Sequence, residues 1–348
     1  MSQSIYCNPS LIIDNTEIPY EFTASIDVGG NNTINKAMIK IESDKVNEYN
    51  LFDKEVCIYL NQGSVDNIPI FRGFIQEVKP SDTSLALRAL DPRCLLAGPN
   101  TPNVFSAEYH GYTLAQFTYE WINTVVNKDK IRIGLDMLNE TTPVQPFFGE
   151  VPLAVVDKAY NIIKKGINLN RDDDGKQFLT YEIVMIDDGT KSNIHFLRDK
   201  NLDRPAALIL SDTDGIVKRT YKKEPTPNYM MVGDVKYQIG NQPNGPRLLK
   251  NEYLPDPNAY IDSPSSLQDM IISQLEIERT WNEKEIRITS SKGQYLNLGD
   301  LVFLDVDDLE IRGKHKVTAK KMNIGKGKMN IVLSLNKRQI SYQDVIEP

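Results

Sequence analysis

FDKEVCIYLN (52–61), IPIFRGFIQEV (68–78) and SLALRALD (84–91) recur in outline as LGDLVFLDVDD (298–308), LEIRGKHKVTAKK (309–321) and KMNIVLSLN (328–336). Each set runs from an acidic turn into an apolar strand, through a loop into a strand entered by Arg-Gly, and round a turn into a final alternating strand. Arg72-Gly73 and Arg312-Gly313 align the two copies. A strand unit used twice in one chain points to pseudo-symmetry within each subunit and to a protein built to assemble. Glycine weakens a strand interior, so Gly73 and Gly313 are read as marking a bend or a close backbone approach.

Outward from the first copy, the β pattern fills residues 1 to about 95. Ala37, Ile39 and Ile41 share one face while Lys36, Lys40 and Glu42 share the other; Val56, Ile58 and Leu60 repeat the alternation, as do Leu85, Leu87 and Ala89. Strands with one wet face predict an antiparallel barrel or sandwich. From about 105 the period changes. Leu114, Phe117, Trp121, Ile122 and Val125 predict a helix, and Leu153, Val156, Tyr160 and Ile163 a second one that starts at Pro152 and stops at Gly166. The strands LTYEIVMID, NIHFLRD and ALIL follow, which makes this region an α+β insert. Phe147 and Phe148, in the linker between the helices, read first as a loop anchor on the insert's own core and otherwise as a partner contact. Beyond 216 the β pattern returns, broken by a long Pro- and Asn-rich loop (237–264) and one helix capped by Ser263 and Pro264, with Leu267, Met270, Ile271 and Leu275 as its apolar stripe.

Composition is that of a folded protein: 348 residues, 40% hydrophobic, 25% charged. A net charge of -7 argues against broad, sequence-independent nucleic-acid binding. Cys7, Cys57 and Cys94 are far apart and read as buried thiols rather than disulfides. The N-terminus has no basic region followed by an apolar run, and no segment has the length to cross a bilayer, so synthesis and folding in a reducing cytoplasm are expected.

Catalytic motifs are missing. His110, His195 and His315 are widely separated and in no metal-binding spacing, and no phosphate loop, dinucleotide fingerprint or nucleophile elbow occurs. In NRDDDG, Asn170, Asp172, Asp174 and Gly175 match the opening of a calcium loop, but the twelfth position is Tyr181 and Glu182 comes one place late, so a solvated turn is expected. Asp212, Asp214 and Gly215, and Asp307 with Asp308, are turns on the same reasoning. No catalytic, cofactor-binding or metal site is expected, and no cofactor.

The order of these pieces carries a resemblance. A strand like IFRGFIQEV with Gly73, an α+β insert, a helix like SLQDMIISQLEIE, then Gly299-Asp300 leading into Val302 and Phe303, and Gly313 leading into Val317, resemble the baseplate hub proteins of contractile phage tails and the related hub portion of type VI secretion VgrG spikes. The resemblance covers nearly the whole chain. It implies a mainly β (α+β) fold with two tube-protein-like β-barrel domains, 1–100 and 216–348 (the latter with one helix), around an α+β insert domain, 101–215. It further implies a homotrimeric ring in which six barrels alternate around an axis. The function implied is a structural, non-enzymatic adaptor joining the hexameric tail tube to the trimeric central spike. Tail tube protein, spike protein, other baseplate proteins and the tape measure protein would be partners, DNA would only pass through the channel, and there would be no stable membrane association. The location would be the virion tail baseplate, after synthesis in the host cytoplasm. Unlike VgrG, the chain ends at KRQISYQDVIEP, so the spike would be another protein. A tail-associated cell-wall hydrolase, with the insert as its catalytic part, and a glycan-binding tail module are the alternative readings.

Overall fold

The structure, a computed structural model, describes residues 5–29, 34–42, 51–60, 69–92, 94, 104–106, 131–133, 150–152, 170–171, 178–179, 181–198, 205–213, 215–216, 218–223, 229–232, 235–238, 249–251, 284–308 and 311–336. These residues are mainly β. The first eight strands are β1 (Ile5–Tyr6), β2 (Ser10–Ile13), β3 (Thr16–Glu17), β4 (Phe22–Gly29), β5 (Lys36–Ile41), β6 (Glu55–Tyr59), β7 (Phe71–Pro80) and β8 (Leu85–Leu90). The middle of the chain adds β9 (Val104–Ser106), β10 (Ile131–Ile133), β11 (Glu150–Pro152), β12 (Asn170–Arg171), β13 (Phe178–Leu179), β14 (Tyr181–Asp187) and β15 (Ser192–Arg198). The remainder comprises β16 (Leu208–Ser211), β17 (Lys218–Lys223), β18 (Tyr229–Val232), β19 (Val235–Gln238), β20 (Leu249–Asn251), β21 (Lys284–Thr289), β22 (Leu301–Asp305), β23 (Gly313–Gly325) and β24 (Lys328–Leu335). The three expected helices fall outside the described residues. Within the long loop expected over 237–264, β20 pairs in parallel with β18, which also pairs with β19.

Alternation sets the faces. In β5 the exposed Lys36, Met38 and Lys40 interleave with buried Ala37, Ile39 and Ile41, and in β8 Leu85, Leu87 and Ala89 point inward. Tight turns set the register. Asp14 and Asn15 join β2 to β3, and Lys326 and Gly327 join β23 to β24, all four at positive φ; such turns twist with the strands they connect.

The two ends of the chain share a strand order. In the first unit it is β4-β5-β8-β7-β6-β2, and in the second β17-β21-β24-β23-β22-β16. Both sets are taken up in the same succession along the chain. One difference is that β2 runs antiparallel to β6, whereas β16 runs parallel to β22. The segment ALIL therefore supplies a strand of the second unit and does not pair with β14 or β15.

Backbone bonds fix the correspondence residue by residue. Ile75 donates to Lys54 O at 3.0 Å and accepts from Asp53 N at 2.8 Å; Val317 donates to Asp300 O at 2.9 Å and accepts from Gly299 N at 2.9 Å. A bulge follows each, between Ile75 and Glu77 and between Val317 and Ala319. Ile75 thus corresponds to Val317, and the Arg-Gly landmarks are two residues out of step: Gly73 corresponds to His315. An even offset leaves every side chain on the same face, so the hydrophobic pattern cannot detect it.

The units are fused through one strand. Along one edge of β23, residues Gly313–Lys316 pair with β22 and Ala319–Ile324 pair with β4. The result is an open, largely antiparallel 14-stranded sheet with β17 and β3 at its two ends. One apolar cluster runs beneath both units, with Ile26, Ile39, Ile58, Leu87, Ile288 and Leu333 fully or almost fully buried. The β14–β15 hairpin, with β10 parallel to β15, stands beside it.

The landmark glycines have different causes. A Cβ on Gly73 would lie 2.3 Å from Leu90 O, so β8 crosses too close for any side chain. Gly313 has open space around it but sits at φ +136, a region that L-residues avoid.

Candidate functional site

Among the described residues no group of three or more His, Cys, Asp or Glu stands ready to hold a metal. His315 is buried in a structural role. Its Nε2 donates to Ile311 O at 2.6 Å, since a carbonyl can only accept, and its Nδ1 lies 2.7 Å from Asn336 Nδ2. Asn336 Oδ1 in turn accepts from Lys316 N at 3.1 Å. The side chain of His195, like His110, Phe147, Phe148, Trp121 and Trp281, lies outside the described residues, as does NRDDDG beyond Asn170 and Arg171 in β12. Asp212 closes its turn by pairing with Arg219 and accepting from Asp307 N at 3.1 Å. Burial raises the Cys57 thiol to about 11 and the Cys94 thiol to about 12, and all three cysteines are free. Among the described residues no helix is long and apolar enough to cross a membrane.

The polar side chains that do converge sit where both units meet the β14–β15 hairpin. Arg72 reaches Asp187 with Nε at 2.6 Å and Glu55 with Nη1 at 2.9 Å, and donates to Gly189 O at 3.1 Å. Asp187 also accepts from Gly189 N at 2.8 Å and Ser192 Oγ at 3.1 Å. The Arg72 and Asp187 side chains are only 11% and 9% exposed. Burial opposes the guanidinium charge, but the hydrogen bonds it donates to Asp187 and Glu55 more than offset it and raise its pKa. This pair pins the hairpin to the first unit. Arg312, its sequence counterpart, meets Asp305 at 2.8 Å with both side chains about half exposed. The local sequence carries no sign of this difference, because Asp187 is 115 residues from Arg72.

Behind the pair lies a cavity of about 220 Å³, walled by Phe71, Arg72, Ile186, Leu296, Lys320 and Met322 among others. Lys320 donates to Leu296 O at 3.2 Å and Gln294 O at 3.4 Å. Burial lowers its ammonium to about 8, against the opposing pull of Asp300. The arrangement is a packed junction: its charges are engaged by neighbours, and no nucleophile and base are set facing each other among the described residues.

What remains is surface and edge. Tyr221 on the end strand β17 is 44% exposed, Ile209 on β16 is 64% exposed, and Tyr6 and Tyr295 are more exposed still. Of these, Tyr221 lies on the strand that ends the 14-stranded sheet, where an exposed apolar side chain suits association.

No protein-family profile matches the chain, and no curated protein matches it by sequence. Solved structures do. A tail protein from Neisseria meningitidis MC58 aligns over 98% of this chain and 100% of its own at TM-score 0.64 and 11% identity. The 43 kDa tail protein of prophage MuSo2 from Shewanella oneidensis aligns over 97% and 98%, at TM-score 0.64 and 11% identity. An E. coli protein described as a component of the type VI secretion system, structurally similar to the T4 bacteriophage tail proteins gp27 and gp5, aligns over 94% of this chain and 77% of its own, at TM-score 0.56 and 9% identity. The chain shares the fold of these phage tail and secretion proteins over nearly its full length.

Proposed function

We propose that the chain is a structural hub of a phage tail baseplate or a related contractile injection system, a homotrimeric adaptor between the hexameric tail tube and the trimeric central spike. The observation that carries this reading is the pair of six-strand units with one strand order, fused in a single sheet. Three copies present six such units, which matches a hexameric ring on one face and a trimeric spike on the other. The fold shared with solved tail proteins supports the same placement. In this reading each unit closes into a tube-protein-like barrel around the channel, with domains at 1–100, 101–215 and 216–348 and the insert on the outside; β16, at the end of the insert range, pairs into the second barrel.

The protein then acts by geometry and not by catalysis. It keeps a channel open for DNA, contacts tube, spike and other baseplate proteins, the tape measure protein included, and resides in the virion tail. The test is electron microscopy of the purified chain mixed with tube and spike proteins. A threefold ring with a channel wide enough for duplex DNA is expected. A monomer or dimer that persists with both partners present overturns the reading.

A further inference from the structure

The fusion between the two units also describes a contact that each copy leaves open. β4 is the first strand in the order of the first unit, and it pairs with β23 just past that strand's bulge. In the second unit β17 holds the place of β4, and in the first unit β7 holds the place of β23. Following the ladders through, Ile26 pairs with Ala37, and Tyr221 pairs with Ile286, the residue of β21 that corresponds to Ala37. Tyr221 therefore stands where Ile26 stands. By the Ile75–Val317 correspondence, Pro80 stands where Met322 stands, and Ser81 where Asn323 stands.

Exposure follows the difference in partners. In the internal seam Ile26 is 0% and Met322 3% exposed. Their counterparts are open: Tyr221 is 44% exposed, and Pro80 is exposed. β17 ends the sheet, and β7 beyond its bulge pairs with β8 alone among the described residues. Among the described residues both edges lack a strand partner, and an open sheet edge is a template for pairing with another chain.

We propose that β17 of one copy pairs antiparallel with the Glu77–Ser81 edge of β7 in a second copy, in the register of the internal β4–β23 seam, so that Tyr221 faces Pro80 and Thr220 faces Ser81. The contact is head-to-tail, and repetition closes a ring. This rests on the hub reading above and names the surface through which its copies join. The seam's Asp27–Lys321 ion pair, at 3.4 Å, does not recur, because Lys222 and Lys79 occupy those places. Lys79 is matched instead by Glu77 at 2.6 Å. Like charges across a strand pair weaken it, and Pro80, standing where Met322 stands, has no N–H to give the ladder, so the contact between copies is weaker than the internal seam and forms when tube or spike proteins template it.

The test is cysteine cross-linking in the full chain with tube and spike proteins present, read beside the native mass. T220C with S81C places two thiols at a paired position about 4.5–5.5 Å apart between Cα atoms, within disulfide reach. Disulfide-linked dimers and closed trimers are expected from the double variant and none from either single variant, while T220C with T16C, at the far end of the sheet, stays unlinked. Amide exchange of wild-type β17 and of residues 77–79 and 81 slows at least about tenfold on assembly, a readout independent of the variants' folding. A trimer by mass with no cross-link and no slowing overturns this contact and leaves the hub reading standing. No trimer at all overturns both.

Discussion

Ser25 donates its hydroxyl to the side-chain oxygen of Asn323 at 3.0 Å, and the two residues are direct partners in the ladder that joins the two halves of the chain. They lie on the outer face of the seam. One position along, Ile26 and Met322 are partners on the inner, buried face.

Seam strength should therefore reside in the inner pair. Ile26→Ala should cost about 2–5 kcal/mol by urea unfolding, as for other large-to-small core changes, and Ser25→Ala no more than about 0.5 kcal/mol. Equal costs would show that the exposed hydrogen bond carries the joint.

The two landmark arginines should separate sharply. Arg72→Ala leaves Asp187 buried without its cation and should cost about 3–5 kcal/mol, loosening the β14–β15 hairpin first in amide exchange. Arg312→Ala removes a half-exposed pair and should cost about 1 kcal/mol or less. Similar losses in both would contradict the burial difference.

For the glycines, Gly73→Ala must displace Leu90's carbonyl and should cost about 3 kcal/mol or more. Gly313→Ala meets no neighbour and should cost only the backbone penalty of its positive φ, about 1–3 kcal/mol. The melting temperatures of the two variants give the order directly.

Lys320 makes stability depend on pH in a definite sense. Its folded pKa, about 8, lies below its ordinary 10.5, so the unfolded chain binds more protons between these values. Stability from this group is full above 10.5, falls as pH drops, and is absent below about 8. Cys57, raised to about 11 from 9.0, acts in the opposite direction over its own window. The difference curve between wild type and Lys320→Met isolates the lysine: wild type should gain on the variant from pH 8 to 10.5. A flat difference curve would remove the assignment.

The inward faces of β5 and β8 were legible because each strand has one dry side, so Ala37, Ile39, Leu85 and Leu87 could be named from alternation alone. β6 departs from the rule. Val56, Cys57 and Ile58 are all buried, because Cys57 pairs with Arg72 and that side is covered where Arg72 meets Asp187. Alternation also says which face is wet but not which edge finds a partner, so the pairing of β4 with β23 left no trace in the pattern. The repeat was visible, but its Arg-Gly alignment was two residues off because that slip preserves the faces. The Arg72–Asp187 junction depends on residues far apart in sequence, and nothing near Arg72 marks it as different from Arg312.

Ser25 and Asn323 are separated by 298 residues, which has a consequence for biosynthesis. At about 5–20 residues per second, a ribosome needs roughly 15–60 s to release the partner of β4 after β4 itself has emerged. Throughout that interval every nascent chain carries an uncovered strand edge that other nascent chains can capture. Translation pausing late in the message, or truncation before Gly313, would hold the chain in that adhesive state, so its yield should depend on elongation speed and chaperone supply as well as on the stability of the finished fold.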